Sequence, residues 1–326
     1  MQEIAYSTGR QRAAILGLGA YVPDERVTNR ALAAHLDTSD EWIRQRTGIA
    51  ERRRVTADTT TAELALLASQ RALRAAEVLP SEIDLIILGT CSPDQPFPAT
   101  ACHLQRALGA TGALSFDILA ACSSWLYATS IAERYISSGA ARRALVVGSE
   151  IMTRLLDYTD RGTCILFGDG AGAAVLGPSE TAGFMGWALG ADGDNSQLIY
   201  YGCTPDDPDE FLRMDGRETF KAAAKAMSDA AIRACEMAGV SPADLALVVP
   251  HQANVRIVEA VAKRLGLPMD RFAINLDRFG NTSSASIPIA LEEVARQGRV
   301  SAGDRVLLVG FGAGLTWGAT VLEWGA

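Results

Sequence analysis

Three side chains with the chemistry for acyl transfer each stand where an apolar, strand-like run gives way to a helical pattern. Cys122 follows such a run in FDILAACSSWLYATS, His251 follows LALVVP, and Asn281 opens NTSSASIPIALEEV. A thiol in the first turn of a helix faces free backbone N–H groups, which lower its pKa and favour nucleophilic attack. An imidazole and an amide can donate hydrogen bonds to an oxygen that gains negative charge. Taken one at a time, the same residues also fit a buried cysteine, a capped loop histidine and a Gly-Asn turn.

Two glycine-rich segments do not have the context of a nucleotide-binding loop. Gly168, Gly170 and Ala173 have GxGxxA spacing, and Gly310 and Gly312 form a similar pair. Both segments run into strand-like apolar residues instead of a helix, so a Rossmann site is not predicted. The sequence has neither a Walker loop nor a GxSxG nucleophile motif. We expect these glycines to let the backbone pass close to a bound acyl group, with free amides as an oxyanion hole.

The elements that must hold these residues are repeated along the chain. LPSEIDLIILGT at 79–90 is similar to VSPADLALVVPH at 240–251, and ALVVGSE at 144–150 is similar to RVLLVGFG at 305–312. Because the repeats occur in the same order, they indicate a duplicated α/β unit packed about a pseudo-dyad. The alternative is that α/β folds reuse similar strand sequences.

The repeated unit divides the chain into two halves. Residues 1–182 would form the half with Cys122, and residues 183–326 the half with His251 and Asn281. Short apolar runs of strand character alternate with helical periodicity in both halves. This alternation predicts parallel-rich sheets with helices on their faces.

Individual elements follow from that alternation. The stretch 183–215 is rich in Gly, Asp and Pro and is expected to be a surface connection between the halves. The strand-like runs are 83–88, 145–147, 245–249 and 306–309, and the helical patterns are 61–76, 122–138, 220–238 and 253–265.

Charge and cysteine pattern exclude several classes of protein. The chain has 326 residues, with 30 Lys and Arg against 38 Asp and Glu, and its formal charge of −8 argues against a general binder of nucleic acid or anionic membranes. Its six cysteines form no CxxC pair and only three histidines are present, so no metal site or disulfide scaffold is predicted. No apolar stretch reaches the roughly 20 residues that span a bilayer. We expect a cytoplasmic protein with free thiols.

Several long motifs resemble those of a known enzyme family. They are TSDEWIRQRTGIAERR at 38–53, AACSS at 120–124, DRGTCILFGDGAGAAVL at 160–176, PHQANVRI at 250–257, GNTSSASIP at 280–288 and GFGAGLTWG at 310–318. In these segments the chain is similar to β-ketoacyl-acyl-carrier-protein synthase III, the initiating ketosynthase of type II fatty-acid synthesis within the thiolase-like superfamily. The resemblance covers nearly the whole chain and implies a thiolase-like five-layer α/β/α/β/α fold with internally duplicated halves.

This resemblance implies catalytic roles for the residues noted above. Cys122 would accept the acyl group, while His251 and Asn281 would hydrogen-bond the thioester oxygen of malonyl-acyl-carrier protein as carbon dioxide leaves. The backbone amides of Cys122 and Ala313 would form the oxyanion hole. Coenzyme A thioesters are then substrates, and no resident cofactor is implied.

The resemblance also implies binding residues. Trp42, Arg46 and Arg161 match positions that hold the adenine and phosphate end of coenzyme A, since an indole can stack and a guanidinium can bind phosphate. Phe97 matches an aromatic residue that, in short-chain members, reaches into the partner subunit's acyl pocket. It implies a homodimer and a short primer, such as an acetyl, propionyl or small branched acyl group.

An acidic carrier protein would need a basic docking surface. Arg256, Lys263 and Arg264 outnumber Glu259 in one segment, and Arg256 and Lys263 share a helical face. Lys221 matches a further basic position in the family's carrier-docking surface.

The sequence departs from the family beside the nucleophile, where Cys-Ala-Gly-Phe is common. Here Ser123, Ser124 and Trp125 follow Cys122, and we expect the indole to line the acyl pocket and to shorten or reroute it. Two other functions stay open. One is a related ketosynthase or acyltransferase of a polyketide or secondary-metabolite pathway, and the other is a non-catalytic protein that binds acyl carriers. The presence of all three candidate catalytic side chains speaks against the second.

Overall fold

The computed structural model describes residues 3–7, 12–202 and 209–325. In this part of the chain, two five-stranded sheets carry the fold. The first sheet has, in spatial order, β2 (Arg12–Tyr21), β8 (Asp169–Ser179), β7 (Ala144–Ile151), β5 (Leu85–Gly89) and β6 (Leu114–Ile118). The second has β1 (Ile4–Ser7), β9 (Gly183–Ala191), β14 (Thr316–Glu323), β13 (Arg305–Gly312) and β12 (Leu247–Pro250). Two small antiparallel pairs are β3 (Glu25–Thr28) with β4 (Glu51–Arg54) and β10 (Ile199–Tyr201) with β11 (Leu212–Met214).

The helices begin and end at recognisable signals. Thr60 caps α3 in a capping box with Glu63. Gly239 and Gly266 end α6 and α7 in the left-handed conformation that glycine adopts without strain. The helices are α1 (Asn29–Ala33), α2 (Asp40–Thr47), α3 (Thr61–Ala75), α4 (Thr100–Leu108), α5 (Ser124–Ser137), α6 (Gly216–Ala238), α7 (Val255–Leu265), α8 (Leu276–Phe279) and α9 (Ser286–Arg296).

Helices and sheets form five layers, so the predicted α/β/α/β/α fold is confirmed. Helices α5 and α9 lie between the two sheets, where Leu126 and Leu291 share one core with Ile87 of the first sheet and Leu308 of the second. Helices α3 and α4 cover the outer face of the first sheet, and α6 and α7 cover that of the second. Because both faces of each sheet are covered, strands such as β5 and β12 are apolar throughout.

The sheets are mixed rather than parallel-rich. Strand β5 pairs in parallel with β6 and β7, and β12 pairs in parallel with β13. Strands β8 and β14 pair antiparallel with both neighbours. Antiparallel neighbours need no crossover helix. The alternation of strand and helix therefore stops at these two strands, and the sequence prediction missed the change.

The predicted surface connection at 183–215 is wrong in its first part. Gly183–Ala191 form β9 inside the second sheet, and Trp187 is fully buried there. The glycines that suggested a loop serve close packing, since a Cβ on Gly186 would lie 2.5 Å from the backbone nitrogen of Ala238 in α6. The middle of the stretch, residues 203–208, lies outside the described residues.

The first strand joins the sheet of the second half. Strand β1 pairs antiparallel with β9. The division of the chain at residues 182 and 183 stays a prediction. Within the described ranges, no helix combines the length and the apolar character needed to cross a membrane.

Candidate active site

Cys122 lies in a tight turn at the start of the central helix α5. A 3₁₀ turn, Ala121–Ser123, leads directly into the helix, and Ala121 has a left-handed backbone with a φ of 45°. Ser124 holds the turn from the helix side, since its Oγ accepts a hydrogen bond from the Ala120 N–H at 2.8 Å. The half-buried Cys122 side chain thereby reaches a cavity. Such a sparsely populated conformation is common where a functional side chain must be presented.

The end of β13 comes close to this turn. A Cβ on Gly312 would lie 2.7 Å from the backbone nitrogen of Cys122, so the approach requires glycine. The Thr316 hydroxyl secures the contact, with the carbonyl oxygens of Ala120 and Ala313 at 2.9 and 3.1 Å. Cys122 and Ala313 border the same cavity, an arrangement that suits an oxyanion hole made from their backbone amides.

The thiol of Cys122 is not activated at rest. Burial raises its pKa to about 12, while the Ser283 hydroxyl lowers it and the Glu150 carboxylate raises it further. The lowering expected from the helix N-terminus is outweighed, because apolar walls solvate a thiolate poorly. Attack on a thioester therefore requires loss of the thiol proton as the new bond forms.

His251 follows β12 directly. Its backbone N–H donates to the Val309 carbonyl at 2.8 Å, and its Nδ1 lies 2.6 Å from Oγ of Ser286, the first residue of α9. That Oγ accepts the Gln252 N–H at 3.3 Å, so its own hydrogen is available for Nδ1 and we assign the ring hydrogen to Nε2. Burial lowers the pKa of His251 to about 4. The imidazole is thus a neutral donor at neutral pH.

Asn281 is held by its backbone and by its side chain. Its N–H donates to the Leu166 carbonyl at 2.8 Å, and its carbonyl accepts from the Gly168 N–H at 3.0 Å. Its side-chain Oδ1 accepts the Ser283 N–H at 2.8 Å. Because Oδ1 is occupied, Nδ2 is the part of the amide left for the cavity.

One cavity of about 160 Å³ receives Cys122, His251 and Asn281 together. The structure thus brings the nucleophile candidate of the first half to the two donor candidates of the second. A largely apolar space excludes water and strengthens hydrogen bonds to a developing charge. Its apolar walls include Met152, Leu155, Leu166, Phe167, Ile199, Leu212, Met214, Phe220, Met227, Ile257 and Phe311.

Two predicted features lie away from this cavity. The Trp125 indole is fully buried in the core between the sheets, and its Nε1 donates to the Val146 carbonyl at 3.4 Å. The expectation that Trp125 lines the acyl pocket is wrong, because α5 directs it toward β7. Gly170 lies inside β8, where a Cβ would meet Ile289 of α9 at 3.0 Å. This glycine serves helix packing and not acyl binding.

An exposed apolar patch flanks the edge strand β6. Phe97 is 83% exposed, Leu119 is 74% exposed and Leu114 is 52% exposed. Phe97 does not line the cavity of its own chain. Strand β6 is at the edge of the first sheet. Large apolar side chains beside a free strand edge are typical of an interface.

The three residues predicted to bind coenzyme A form one cluster. The Cζ atoms of Arg46 and Arg161 lie 5.1 and 5.2 Å from the centroid of the Trp42 ring. The Arg46 carbonyl accepts from Nδ2 of Asn254 at 3.1 Å, and Asn254 lines the cavity. The cluster therefore places an aromatic ring and two guanidinium groups next to the cavity, with Nη1 of Arg161 3.4 Å from Oδ2 of Asp37.

The predicted carrier-docking residues fall into two groups. Arg256 of α7 lies with its Cζ 5.5 Å from the ring centroid of Phe220, a cavity residue of α6, and Lys221 follows Phe220 in the chain. Lys263 and Arg264 are exposed in the last turn of α7. They are about 10 Å further along the helix than Arg256. Arg256 is thus the residue beside the cavity, while the exposed Lys221 donates to Oε1 of Glu218 at 2.7 Å.

Polar groups behind the site were missed in the sequence analysis. Ser286 contacts His251, Ser283 holds Asn281, and the buried Glu150 carboxylate accepts the Ser283 hydroxyl at 3.0 Å. A glutamate that ends the apolar run ALVVGSE was the available signal, since a buried charge needs partners. The serine-rich NTSSAS was the second signal.

The described residues contain no group of three or more His, Cys, Asp or Glu side chains that could hold a metal ion. Cys203 lies outside the described residues. The described free thiols are Cys91, Cys102, Cys122, Cys164 and Cys235.

Comparison with known proteins gives matches in both halves of the chain. A family described as 3-oxoacyl-[acyl-carrier-protein] synthase III matches residues 116–193, and the C-terminal family of the same enzyme matches residues 235–324. The β-ketoacyl-[acyl-carrier-protein] synthase III of Alkalilimnicola ehrlichii is 48% identical over 320 residues, covering 96% of this chain and 99% of the relative. That of Geobacillus kaustophilus is 46% identical over 314 residues, with 96% and 99% covered.

Solved structures agree with these matches. The β-ketoacyl-[acyl-carrier-protein] synthase III of Thermus thermophilus has a TM-score of 0.93 at 48% identity and covers 96% of this chain and 99% of its own. The priming β-ketosynthase of the R1128 polyketide biosynthetic pathway has a TM-score of 0.93 at 38% identity, with 98% of each chain covered. The chain therefore belongs to the β-ketoacyl-[acyl-carrier-protein] synthase III family and is an initiating ketosynthase, a condensing acyltransferase of fatty-acid synthesis.

Proposed function

We propose that this ketosynthase joins a short acyl group from coenzyme A to the malonyl group of malonyl-acyl-carrier protein. Cys122 loses its proton as it attacks the acyl thioester, and collapse of the tetrahedral intermediate expels the coenzyme A thiolate, which takes up a proton. Malonyl-acyl-carrier protein then loses carbon dioxide, and the resulting enolate attacks the Cys122 thioester. The carbon–sulfur bond breaks, the Cys122 thiolate takes up a proton, and the β-ketoacyl-carrier product leaves.

The observation that carries this proposal is the meeting of Cys122, His251 and Asn281 in one apolar cavity of about 160 Å³. A thiol and two hydrogen-bond donors suit the two steps, acylation and stabilisation of an enolate. A cavity of about 150 Å³ holds a benzene-sized molecule in other proteins. The volume therefore supports a primer of a few carbons, such as an acetyl, propionyl or small branched acyl group.

The donors proposed for the second step are Nε2–H of His251 and Nδ2–H of Asn281. Both would donate to the malonyl thioester oxygen, where negative charge develops as carbon dioxide departs. The departing carboxylate supplies the electron pair, so no side chain has to remove a proton from carbon. The backbone N–H groups of Cys122 and Ala313 would stabilise the other oxyanion. All these steps use the chain and its thioester substrates, and we propose no resident cofactor.

The surface around the cavity supports both substrates. Trp42, Arg46 and Arg161 would hold the adenine and phosphate end of coenzyme A by stacking and by charge-assisted hydrogen bonds. Lys221 and Arg256 would meet the acidic carrier protein beside Phe220, and Lys263 and Arg264 would extend this surface along α7.

We also propose a homodimer in which the β6 edges of two subunits face each other. The exposure of Phe97, Leu114 and Leu119 supports it, since dimerisation would cover this patch. Phe97 would then reach the acyl pocket of the partner subunit, as the family resemblance implies. The free thiols support a cytoplasmic location.

Priming of a polyketide pathway is a candidate function in addition to fatty-acid synthesis, with one observation in its favour. The priming β-ketosynthase of the R1128 pathway is 38% identical with a TM-score of 0.93. The departure at Ser123, Ser124 and Trp125 does not favour it, because Trp125 is buried away from the cavity. The two functions differ in the carrier protein that accepts the acyl group.

Intact-protein mass spectrometry tests the proposal. The protein is mixed with acyl-coenzyme A thioesters of increasing length, and malonyl-carrier proteins of fatty-acid and polyketide type are then added separately. We expect a short acyl adduct that is absent in Cys122→Ala, persists in Cys91→Ala and disappears as a β-ketoacyl-carrier product forms. An adduct that malonyl-carrier protein does not discharge would indicate an acyltransferase with another acceptor. Absence of any adduct would refute the role of Cys122.

A further inference from the structure

A buried carboxylate lies behind the cavity and takes no part in the proposed chemistry. Glu150 belongs to β7 and is fully buried. Its Oε2 accepts hydrogen bonds from the N–H and the hydroxyl of Ser92, at 3.1 and 2.6 Å, and from the Thr90 hydroxyl at 3.1 Å. Because these donors follow β5, the first half of the chain holds this oxygen.

The other oxygen, Oε1, faces the second half. It accepts the Ser283 hydroxyl at 3.0 Å and the Ser284 N–H at 3.4 Å. The Cys91 N–H lies 3.2 Å from Oε1 and 3.1 Å from Oε2, and the Cys91 thiol lies 3.4 Å from Oε1. Every one of these groups is a donor, so a single acceptor-only carboxylate satisfies them and ties the two halves together.

Ser283 connects this anchor to Asn281. It has a left-handed backbone with a φ of 49°, and its N–H donates to Oδ1 of Asn281 at 2.8 Å. If the amide rotated by half a turn, Nδ2 would face the Ser283 N–H and Oδ1 would face the substrate oxygen. A fixed Ser283 N–H opposes that rotation, because two donors would then meet.

We propose that Glu150 is a positioning residue for decarboxylation, because it anchors Ser283, which keeps Nδ2 of Asn281 directed at the malonyl thioester oxygen. The inference rests on the proposed function. Glu150 touches no reacting atom, and it favours only the step that uses Asn281. It acts against the first step, since burial raises the pKa of Cys122 and the nearby carboxylate adds to that rise.

Glu150→Gln removes one acceptor oxygen with little change in size. The new NH₂ group faces hydrogen-bond donors whichever way it points. Either the loop of Thr90 and Ser92 or the loop of Ser283 and Ser284 therefore loses its hydrogen bonds to residue 150. We expect malonyl decarboxylation and condensation to fall about 100-fold. Acyl loading of Cys122, followed by single-turnover mass spectrometry, should stay within about threefold of the wild-type rate or rise. Each rate is measured on the same preparation.

Glu133→Gln is the matched control. Glu133 of α5 is also fully buried, but its carboxylate lies in an ion pair with Arg134, with Oε2 3.1 Å from Nε, and does not join the two halves of the chain. We expect this variant to leave loading and decarboxylation at the wild-type ratio. Ser283→Ala is the second test variant, because it removes the hydroxyl that bonds Glu150 and keeps the N–H that bonds Asn281. It should lower decarboxylation about tenfold. Loading should fall less than decarboxylation, because the same hydroxyl lowers the pKa of Cys122.

Equal losses of loading and decarboxylation in both test variants would overturn the inference. A residue that only supports the fold lowers both rates in proportion to the folded fraction, which circular dichroism measures. Loss of loading alone would overturn it as well. A wild-type protein that loads no acyl group would refute the proposed function instead, so the two failures can be distinguished.

Discussion

The two halves of the chain build the same junction between strand, turn and helix and use it differently. In the first half the 3₁₀ turn Ala121–Ser123 runs into α5, and in the second half the turn Ser283–Ala285 runs into α9. The first residue of each turn has a left-handed backbone, with φ values of 45° and 49°. The second residue is Cys122 in one turn and Ser284 in the other. Only the first of the two similar junctions thus presents the proposed nucleophile.

Each turn also meets the end of a strand from the other half. Gly312 of β13 approaches the Cys122 backbone, whereas Glu150 of β7 bonds Ser283 and Ser284. Glycine lets the β13 backbone pack closely against the turn that carries the thiol. The carboxylate fills the corresponding space with an anchor. The junction that carries Cys122 therefore faces the cavity, and the junction that carries Ser283 is held by hydrogen bonds to Glu150.

The first residues of the two helices differ in the same way. Ser124 packs on Gly89, where a Cβ would lie 2.8 Å from the Ser124 Cβ, while Ser286 contacts the His251 imidazole. Gly89 ends β5, and His251 directly follows β12. Corresponding positions thus carry no side chain in one copy and a hydrogen-bond donor in the other. The two junctions therefore differ in the side chains at corresponding positions and not in their secondary structure.

Removing the Cys122 thiol should abolish acyl loading at the first junction and leave decarboxylation at the second largely intact. In Cys122→Ala we expect complete loss of the acyl-enzyme and a fall in condensation of about 10⁴-fold or more, because the covalent intermediate cannot form. Decarboxylation of malonyl-carrier protein should continue within about tenfold of wild type, since His251 and Asn281 remain. Mass spectrometry and carbon dioxide release measure the two steps. Loss of both steps would show that the junctions do not act separately.

Asn281→Asp should slow decarboxylation at the second junction and leave acyl loading at the first largely intact. The substitution keeps the size of the side chain but replaces the Nδ2 donor with an oxygen. Decarboxylation and condensation should fall about 10²- to 10³-fold. Release of coenzyme A during loading of Cys122 should stay near the wild-type rate. A fall in loading equal to that in condensation would contradict the separation of roles.

Gly312→Ala should push β13 and the turn that carries the thiol apart. Its Cβ would lie 2.7 Å from the Cys122 nitrogen and 3.0 Å from the Ala120 carbonyl oxygen, and backbone atoms yield little. We expect a loss of about 1–3 kcal/mol in unfolding free energy and loading about 10- to 100-fold slower, with decarboxylation less affected. Gly193→Ala is the control, because a Cβ there meets no atom within 4 Å. Similar losses in Gly312→Ala and Gly193→Ala would contradict the interpretation that the close approach of β13 to the Cys122 turn requires glycine.

The neutral state of the His251 imidazole should be detectable in a pH titration. Burial lowers the pKa of His251 to about 4, below the usual value near 6.5. The folded state therefore favours the neutral ring, and stability falls as the pH drops from about 6.5 toward 4. NMR of the His251 ring, assigned with His251→Gln, should show no protonation between pH 5.5 and 8. A midpoint near 6.5 would contradict a dry, buried imidazole.

The sequence predicts the shared scaffold better than the differences between its two copies. The apolar run 306–309 lies inside β13 and the helical pattern 61–76 becomes α3, because burial and periodicity are local signals. Cys122 and His251 could be named because each follows an apolar run, and Asn281 could be named because it opens a serine-rich helix start. The bond between Ser283 and Glu150 could not be named, since it joins atoms of different halves. The direction of Trp125 was missed for the same reason, because it depends on which layer its helix faces.

Trp125→Phe should have the smallest effect, because it changes the core and not the cavity. The indole is fully buried, with one hydrogen bond of 3.4 Å to the Val146 carbonyl. The smaller ring leaves a void that should cost about 1–2 kcal/mol in unfolding free energy. Loading rates across the acyl-coenzyme A panel should keep their order. Met152→Ala, at a cavity wall, should shift that order toward longer acyl groups. An equal shift in Trp125→Phe would mean that the core behind α5 sets primer size, and the distinction between wall and core would fail.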